Sequence, residues 1–546
     1  MCGIAGLIGR DDRALARRMC GRLAHRGPDG EEVWSDAGAT LGHRRLAVLD
    51  LATGAQPMQD RSGRFTIVYN GEIYNHRGLR LRLEREGVVF RTRSDTEVLV
   101  EGWARWGPAV LPLLEGMYAF VLWDGQERQA VLARDRWGVK PLLVTRVEGD
   151  WLFASEAKAF AAHPGFRFEV DEDAVRRQAV FEFDPFAGSL FAGVGQVAPG
   201  TFWQLRPGGQ PVVHEVAWPA PAGPVDAHEL SRRIQASVAQ QQESDVPLGI
   251  VLSGGLDSAL VAHLANQNSP GLPTFAIAES DEVEDLRRAR HLADLLGTEH
   301  HESTFTFDEA AAMLPRHAYH QENTNYTELF FLPLFERMRR HVTVGLCGQG
   351  ADELWGGYAR YADPQARARL RHARLARTKP QDADALAALI DATHGSGEAL
   401  ARFDQGAQLD HFQLRLVDRN AMAFGLEVRV PFLSHGLQEA SDAAAWSQKR
   451  RDGTEKWLLR KAADAVGLHP GFAWRPKVPA GRATAPAIAQ RIEALGERLR
   501  PPGRVAAHPL AGAFENGAEC LLFDLWRTIF VENQGDARGV TLEGLA

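Results

Sequence analysis

Cys2 is the second residue of the chain. With the initiator Met1 removed, a thiol and a free α-amine sit on one residue. The α-amine has an ordinary pKa near ~8, so part of it is neutral in the cell and can accept the thiol proton. An N-terminal nucleophile of this kind carries its own general base. Position alone leaves another reading open, a small buried cysteine with no chemistry. A second group of residues points to phosphate chemistry: Ser253-Gly254-Gly255-Leu256-Asp257-Ser258. This hexapeptide follows the apolar run Gly249–Leu252 and opens a predicted helix over Ala259–Asn266. A glycine-rich turn between strand and helix presents backbone N–H groups at a helix N-terminus, which suits pyrophosphate. No Gly-Lys-Ser/Thr follows, so the turn is not a Walker A loop. The alternative is a plain helix cap by Ser253.

The elements that must position these groups fall into two textures. The first ~200 residues carry short β-prone runs broken by Gly, Asp and Asn, a pattern of antiparallel sheets with a few helices. The runs are Cys2–Ile8, Thr66–Tyr69, Ala119–Trp123, Ala130–Ala133 and Trp151–Ala154, with one amphipathic helix from about Leu79 to Arg85. A Pro/Gly-rich stretch with Pro207, Gly208, Gly209, Pro211, Pro219, Pro221 and Pro224 reads as a linker or a loose return strand. From about Val225, helix-length segments alternate with the wholly apolar runs Leu248–Leu252, Thr274–Ala278 and Val342–Leu346. Strands apolar on both faces and separated by helices predict a parallel sheet covered on both sides. Helical character dominates afterwards, and Arg498–Pro509 reads as a loop.

Bulk properties exclude several classes. The 546 residues suffice for about three to four average domains, or two large ones. The net charge of −8 is opposite to the basic balance of a nucleic-acid binder. The arginines of Arg367–Arg377 read as the solvated face of a helix. No stretch approaches the ~18 apolar residues of a membrane span, and no basic leader precedes Cys2. The cysteines Cys2, Cys20, Cys347 and Cys520 have neither metal-ligand spacing nor disulfide density, which fits a reducing cytoplasm.

Four short motifs follow Cys2: His25-Arg26-Gly27-Pro28-Asp29, His43-Arg44-Arg45-Leu46, Tyr69-Asn70-Gly71-Glu72-Ile73-Tyr74-Asn75 and Ser94-Asp95-Thr96-Glu97. Each alone is weak; Asn-Gly by itself marks a hairpin turn. In this order, after Cys2-Gly3-Ile4-Ala5-Gly6, they resemble the glutaminase domain of the class II glutamine amidotransferases. The hexapeptide resembles the PP-loop of the ATP pyrophosphatases. The loop Gly348–Tyr358, and the segments Val417–Ala423, Glu427–Leu433, Glu455–Arg460 and Arg475–Lys477, resemble the glutamine-dependent asparagine synthetases of the bacterial type.

The resemblance spans Cys2 to about Phe530. It implies an α+β, αββα-sandwich N-terminal nucleophile domain over 2–205 and a linker over 206–226. An α/β parallel-sheet synthetase domain with a mostly helical C-terminal part then covers 227–535. Cys2 is then the nucleophile, with the Asn70 amide and the Gly71 N–H at the oxyanion. A glycine at 71 lets the backbone approach the substrate. Arg45 would hold the glutamine carboxylate bidentately, and Glu72 and Asp95 its ammonium. Leu252, Ser253, Gly254, Gly255, Leu256, Asp257, Ser258, Ile277 and Gly348 would bind ATP. Asp257 and Asp352 would hold Mg²⁺, being carboxylates at the ends of parallel strands that face a triphosphate. Lys456 would stabilise charge as an acyl-adenylate forms and breaks down. Lys140, in Gly138–Leu142, belongs to a family motif without an assigned role.

The implied reaction is an ATP-dependent amidation, with ammonia released from glutamine and AMP and pyrophosphate as products. L-aspartate is the leading acceptor and a carboxylate of specialised metabolism the alternative. A ring-closing or hydroxamate variant, and a regulatory protein with dead sites, are remoter. A homodimer is one option for assembly. Five positions depart from the family pattern. Leu143 and Val144 replace common aromatics, a packing change. Gln349, Asn325 and Ser434 stand where acids are usual, which bears on how the acceptor is recognised unless Glu322 or Glu353 substitutes.

Overall fold

The computed structural model describes residues 2–186, 188–219, 223–377, 383–478 and 484–545. Met1 and Pro221 lie outside the described residues, so Met1 removal and the middle of the linker stay expectations.

The N-terminal part stacks two antiparallel six-stranded sheets. The first runs in the order Val194–Gln196, Leu143–Val147, Asp150–Ala154, Gly3–Ile8, Ala39–Arg45, Gly30–Ser35. The second runs Val212–Glu215, Thr201–Leu205, Gln129–Arg134, Gly116–Asp124, Phe65–Ile73, Met58–Gln59. Strand Gly3–Ile8 shows why the layers form. All six of its residues are buried, and successive side chains point to opposite faces. Ala5 and Leu7 meet Leu15, Met19 and Leu23 of the helix region Arg13–Leu23. Ile4 and Ile8 meet Val68, Val121 and Leu132 of the second sheet. Helices His76–Arg85 and Asp95–Trp106 cover the far face through Leu79, Leu83, Val98 and Leu99. The result is the αββα sandwich that the resemblance implies.

Asn70-Gly71 is not a turn. It lies inside a nine-residue strand, Phe65–Ile73, paired residue for residue with Gly116–Asp124. The long apolar register outweighs the local turn preference of Asn-Gly. Part of the Pro/Gly-rich stretch returns as the edge strand Val212–Glu215.

The second sheet system is wholly parallel, in the order His300–Thr304, Thr274–Ala278, Leu248–Val251, Val344–Leu346, Glu427–Arg429. Helices follow its strands, as the alternation of apolar runs and helix-length segments predicts. The Arg498–Pro509 segment is less irregular than expected. A short helix, Pro502–Ala506, forms with Pro502 at its first position, where a missing N–H costs nothing, and Pro501 extended before it. Aromatic residues join the C-terminal helices to the sandwich: Phe191 stacks on Trp526 at 5.0 Å and Phe168 meets Phe530 at 5.3 Å.

Candidate active site

Cys2 sits just before the first strand, one step beyond the Gly3–Arg44 pair, which sets it beside the end of strand Ala39–Arg45. It is 8% exposed, and burial pushes its thiol above the ordinary range. Its backbone N–H donates to Asn70 Oδ1 at 2.9 Å, and Sγ lies 3.8 Å from the Leu46 carbonyl. Asn70 is fully buried, and its Nδ2 has no hydrogen-bond partner among the described residues. A buried donor left open costs free energy unless a ligand completes it. Gly71 is required by its neighbour strand: a Cβ there would lie 2.1 Å from the Met117 carbonyl.

The other expected residues of this site are placed as follows. Arg45 donates to the carbonyls of Leu49, Asp50 and Leu51 at 3.4, 2.6 and 3.0 Å. Asp95 Oδ2 accepts from Tyr69 Oη and the Ile73 N–H, both at 2.9 Å. Glu72 lies 3.8 Å from Arg429 of the C-terminal domain. Burial, then Glu427 and Asp95, push the Glu72 carboxyl well above the usual range.

A second cluster lies at the C-terminal ends of the parallel strands. Helix Leu256–Asn268 has Gly255 at its N-cap, a residue with no side chain to cap it. The serines instead bond one another, Ser253 Oγ to Ser258 Oγ at 3.0 Å. The N-terminal amides are therefore not capped by Ser253. Gly348 packs directly on this turn, where its Cβ would lie 3.0 Å from Asp257. Leu252 and Ile277 are buried at the ends of the two neighbouring strands.

Lys456 joins the two loops. Its Nζ lies 2.6 Å from Asp257 Oδ2 and 2.7 Å from Asp352 Oδ1. Lys477 Nζ donates to Asp352 Oδ2 at 2.6 Å. Burial alone would raise Asp352; the two ammonium groups overcome it and hold the carboxyl well below its usual range. Gly357 makes this convergence possible, since a Cβ there would lie 1.9 Å from Asp352 Oδ1 and 2.3 Å from Lys456 Cε. Arg475 reaches the same turn, donating to the Gly254 carbonyl at 3.0 Å and Asp285 at 2.7 Å. Two carboxylates held together by cations form an oxygen donor set of the kind that suits a hard divalent ion.

The departures have plain structural partners. Gln349 donates to Gln413. Asn325 Oδ1 closes a turn on Thr327, accepting from its N–H at 2.9 Å and its Oγ1 at 2.8 Å. Ser434 caps helix His435–Ala443, accepting from the Leu437 N–H. Glu322 is spent on the domain interface, accepting from the N–H groups of Ala157 and Lys158 at 2.9 and 2.7 Å. Glu353 accepts from Tyr358 Oη at 2.7 Å, and burial with Asp352 pushes it up to about 7. The sequence reading gave no role to Lys477, Arg475 or Glu328. Glu328 faces Lys477 and Glu353 electrostatically, burial pushes it up to about 7, and its buried Oε2 has no hydrogen-bond partner among the described residues. Its one sequence signal is an acid set directly before the apolar run Leu329–Leu334.

The fold joins an αββα sandwich, with Cys2 at the head of its first strand, to a parallel-sheet domain with a glycine-rich loop, the plan of a two-domain ligase. The family model for a glutamine amidotransferase domain matches residues 1–215, and that for asparagine synthase matches residues 229–510. The chain belongs to the asparagine synthase family, a family of ligases, and carries an N-terminal glutamine amidotransferase domain. It is 29% identical to asparagine synthetase [glutamine-hydrolyzing] 1 of Bacillus subtilis, over 85% of this chain and 84% of the relative. It is 31% identical to asparagine synthetase [glutamine-hydrolyzing] 2 of Oryza sativa, over 85% and 73%. A solved glutamine phosphoribosylpyrophosphate amidotransferase from B. subtilis aligns over 50% of this chain and 65% of its own, at 19% identity and a TM-score of 0.31. That likeness is too weak to add to the sheet topology. Among the described residues, no helix is long and apolar enough to cross a membrane.

Proposed function

We propose that this enzyme forms an amide from a carboxylate, MgATP and glutamine, with L-aspartate as acceptor and AMP and pyrophosphate as products. The pairing of Cys2 with Asn70 in one domain and of Asp257 and Asp352 with Lys456 in the other carries this reading. In the first site, Cys2 Sγ attacks the side-chain amide carbon of glutamine. The α-amine of residue 2, freed when Met1 is removed, takes the thiol proton. Asn70 Oδ1 holds that nitrogen, and Nδ2 with the Gly71 N–H meets the oxyanion. Arg45 takes the substrate carboxylate, and Asp95 with Glu72 the ammonium. Ammonia leaves, and water releases glutamate from the thioester.

In the second site, the amides after Gly255 take phosphate oxygens. Asp257 and Asp352 would hold the Mg²⁺ of MgATP, which offsets triphosphate charge when bound. Lys456 and Lys477 oppose the charge that builds as the acceptor carboxylate attacks the α-phosphorus and pyrophosphate departs. Ammonia then attacks the activated carbonyl and AMP leaves. Gln349 and Asn325 are tied to neutral partners, so the acids left for an acceptor ammonium are Glu328 and Glu353.

The test is product identification by mass spectrometry, with glutamine, MgATP and either L-aspartate or succinate. Asparagine and AMP are expected from aspartate alone. Cys2→Ala should abolish glutamine-dependent synthesis and leave ammonia-dependent synthesis. Loss of both in a folded variant would contradict the two-site reading, and amidation of succinate alone would replace aspartate.

A further inference from the structure

Arg26 is fully buried, and its guanidinium joins three groups. Nε donates to the Cys2 carbonyl at 3.1 Å. Nη1 donates to Glu156 Oε1 at 2.8 Å and to Asp418 Oδ2 at 2.9 Å, and Nη2 reaches Asp418 Oδ1 at 3.3 Å. Asp418 is 392 positions away, on helix Arg415–Met422 of the C-terminal domain. It is 2% exposed and also accepts from Lys140 Nζ at 3.2 Å. A lysine for which the sequence suggested no chemistry thus completes the charge balance around this carboxylate.

An N-terminal nucleophile has a particular positioning problem. Once Met1 is gone, residue 2 has no preceding peptide to hold it, and ladder pairing begins only at Gly3. Its main chain is then held at two points, the nitrogen by Asn70 Oδ1 and the carbonyl by Arg26. The Cys2–Gly3 peptide plane, fixed by Arg26, sets where the α-amine and Sγ point. Glu156 cannot orient Arg26 alone, because it is shared with His25 at 2.8 Å, Lys158 at 2.5 Å and Arg419 at 3.3 Å. Asp418 supplies the two-oxygen grip that matches the guanidinium fork.

We propose that Asp418 is a positioning residue of the glutaminase site, supplied by the synthetase domain and acting through Arg26 on the carbonyl of the nucleophile. This rests on Cys2 being the glutaminase nucleophile. The glutaminase domain is then incomplete by itself: its nucleophile is aimed by a carboxylate from the domain that consumes its ammonia.

The experiment uses full-length Asp418→Asn, which keeps the shape and removes the charge. Glutaminase kcat and glutamine KM, ammonia-dependent synthesis and thermal melting are measured on one preparation. Glutaminase kcat should fall about tenfold to a hundredfold, as for a small misplacement of a reacting group. Glutamine KM and ammonia-dependent synthesis should stay within about twofold, since ground-state binding and the other site are untouched. Arg26→Lys, which keeps the charge but loses the fork, should reproduce the split. Unchanged glutaminase kcat in folded Asp418→Asn would overturn the proposal. If Asp418→Asn loses both activities, the double variant Asp418→Asn, Lys140→Met decides, because it removes the unpaired lysine. Recovered ammonia-dependent synthesis with glutaminase still depressed supports the positioning role; recovery of both overturns it. A wild-type enzyme without glutaminase activity would refute the functional reading rather than this inference.

Discussion

Asn70 shows how one side chain divides its two ends between two tasks. Its oxygen is taken by the nitrogen of residue 2, and its Nδ2 is left buried and open. Asn70→Ala should lower glutaminase kcat by about 10²–10³-fold, the usual effect of deleting one oxyanion donor. Ammonia-dependent synthesis should not change; a glutaminase loss below about threefold would remove Asn70 from the oxyanion site. Glu328 gives a pH test at the same scale. Burial raises its carboxyl from 4.5 to about 7 in the folded state. A raised carboxyl contributes stability that is full below the unfolded value and is lost as pH rises through the folded one. Glu328→Gln removes that loss. In the ligand-free enzyme, melting temperatures of variant and wild type should converge near about pH 4.5, with the variant higher by about pH 8. A difference that does not vary with pH would show that Glu328 is not held protonated by the fold.

At the scale of the element, Ser434 replaces an acid by another good helix cap. Its hydroxyl accepts from the Leu437 N–H at 3.2 Å, the bond an aspartate would make in the same place. Ser434→Ala should cost about 1 kcal/mol, read as a lower denaturation midpoint at unchanged m-value. Ser434→Asp should keep both stability and acceptor KM. A shifted acceptor KM in that variant would return this residue to substrate recognition. The strand Phe65–Ile73 makes a related point. Asn-Gly carries a turn preference worth little against nine consecutive pairings with Gly116–Asp124.

Across the whole molecule, buried ion pairs and aromatic contacts tie the domains together. Arg134 of the sandwich grips Asp410 of the C-terminal part at 2.6 and 3.2 Å, and Gln196 adds a bond at 3.0 Å. Both charged partners are at most 4% exposed. Removing one leaves the other charged and desolvated. Arg134→Met should therefore destabilise by about 3–5 kcal/mol, seen as a lowered melting temperature in calorimetry. Wild type should unfold in one transition, because packing of Phe168 and Phe191 on Phe530 and Trp526 couples the halves. Two resolved transitions in wild type, or an unchanged Arg134→Met melt, would show that the interface does not carry this load.

Chemistry carried by contiguous residues was legible in the chain. The Cys2 start and the Ser253–Ser258 turn stand out as a candidate nucleophile and a candidate phosphate loop because each is defined by its own neighbours. The parallel sheet was legible wherever strands were apolar on both faces, as in Thr274–Ala278. Strand Glu427–Arg429 was not readable as a strand. Two of its three residues are charged; they pair with each other at 2.6 Å, and the distant carbonyls of Gln241 and Glu243 complete the burial of Arg429. Gln349, Asn325 and Ser434 drew attention by type, and the fold gives each a structural partner: Gln413, Thr327 and the Leu437 N–H. The Arg26–Asp418 bridge has no local signal at all. Sequence determined which residues could do chemistry; tertiary structure decided which distant charges share one desolvated space, because burial makes unpaired charges too costly to keep.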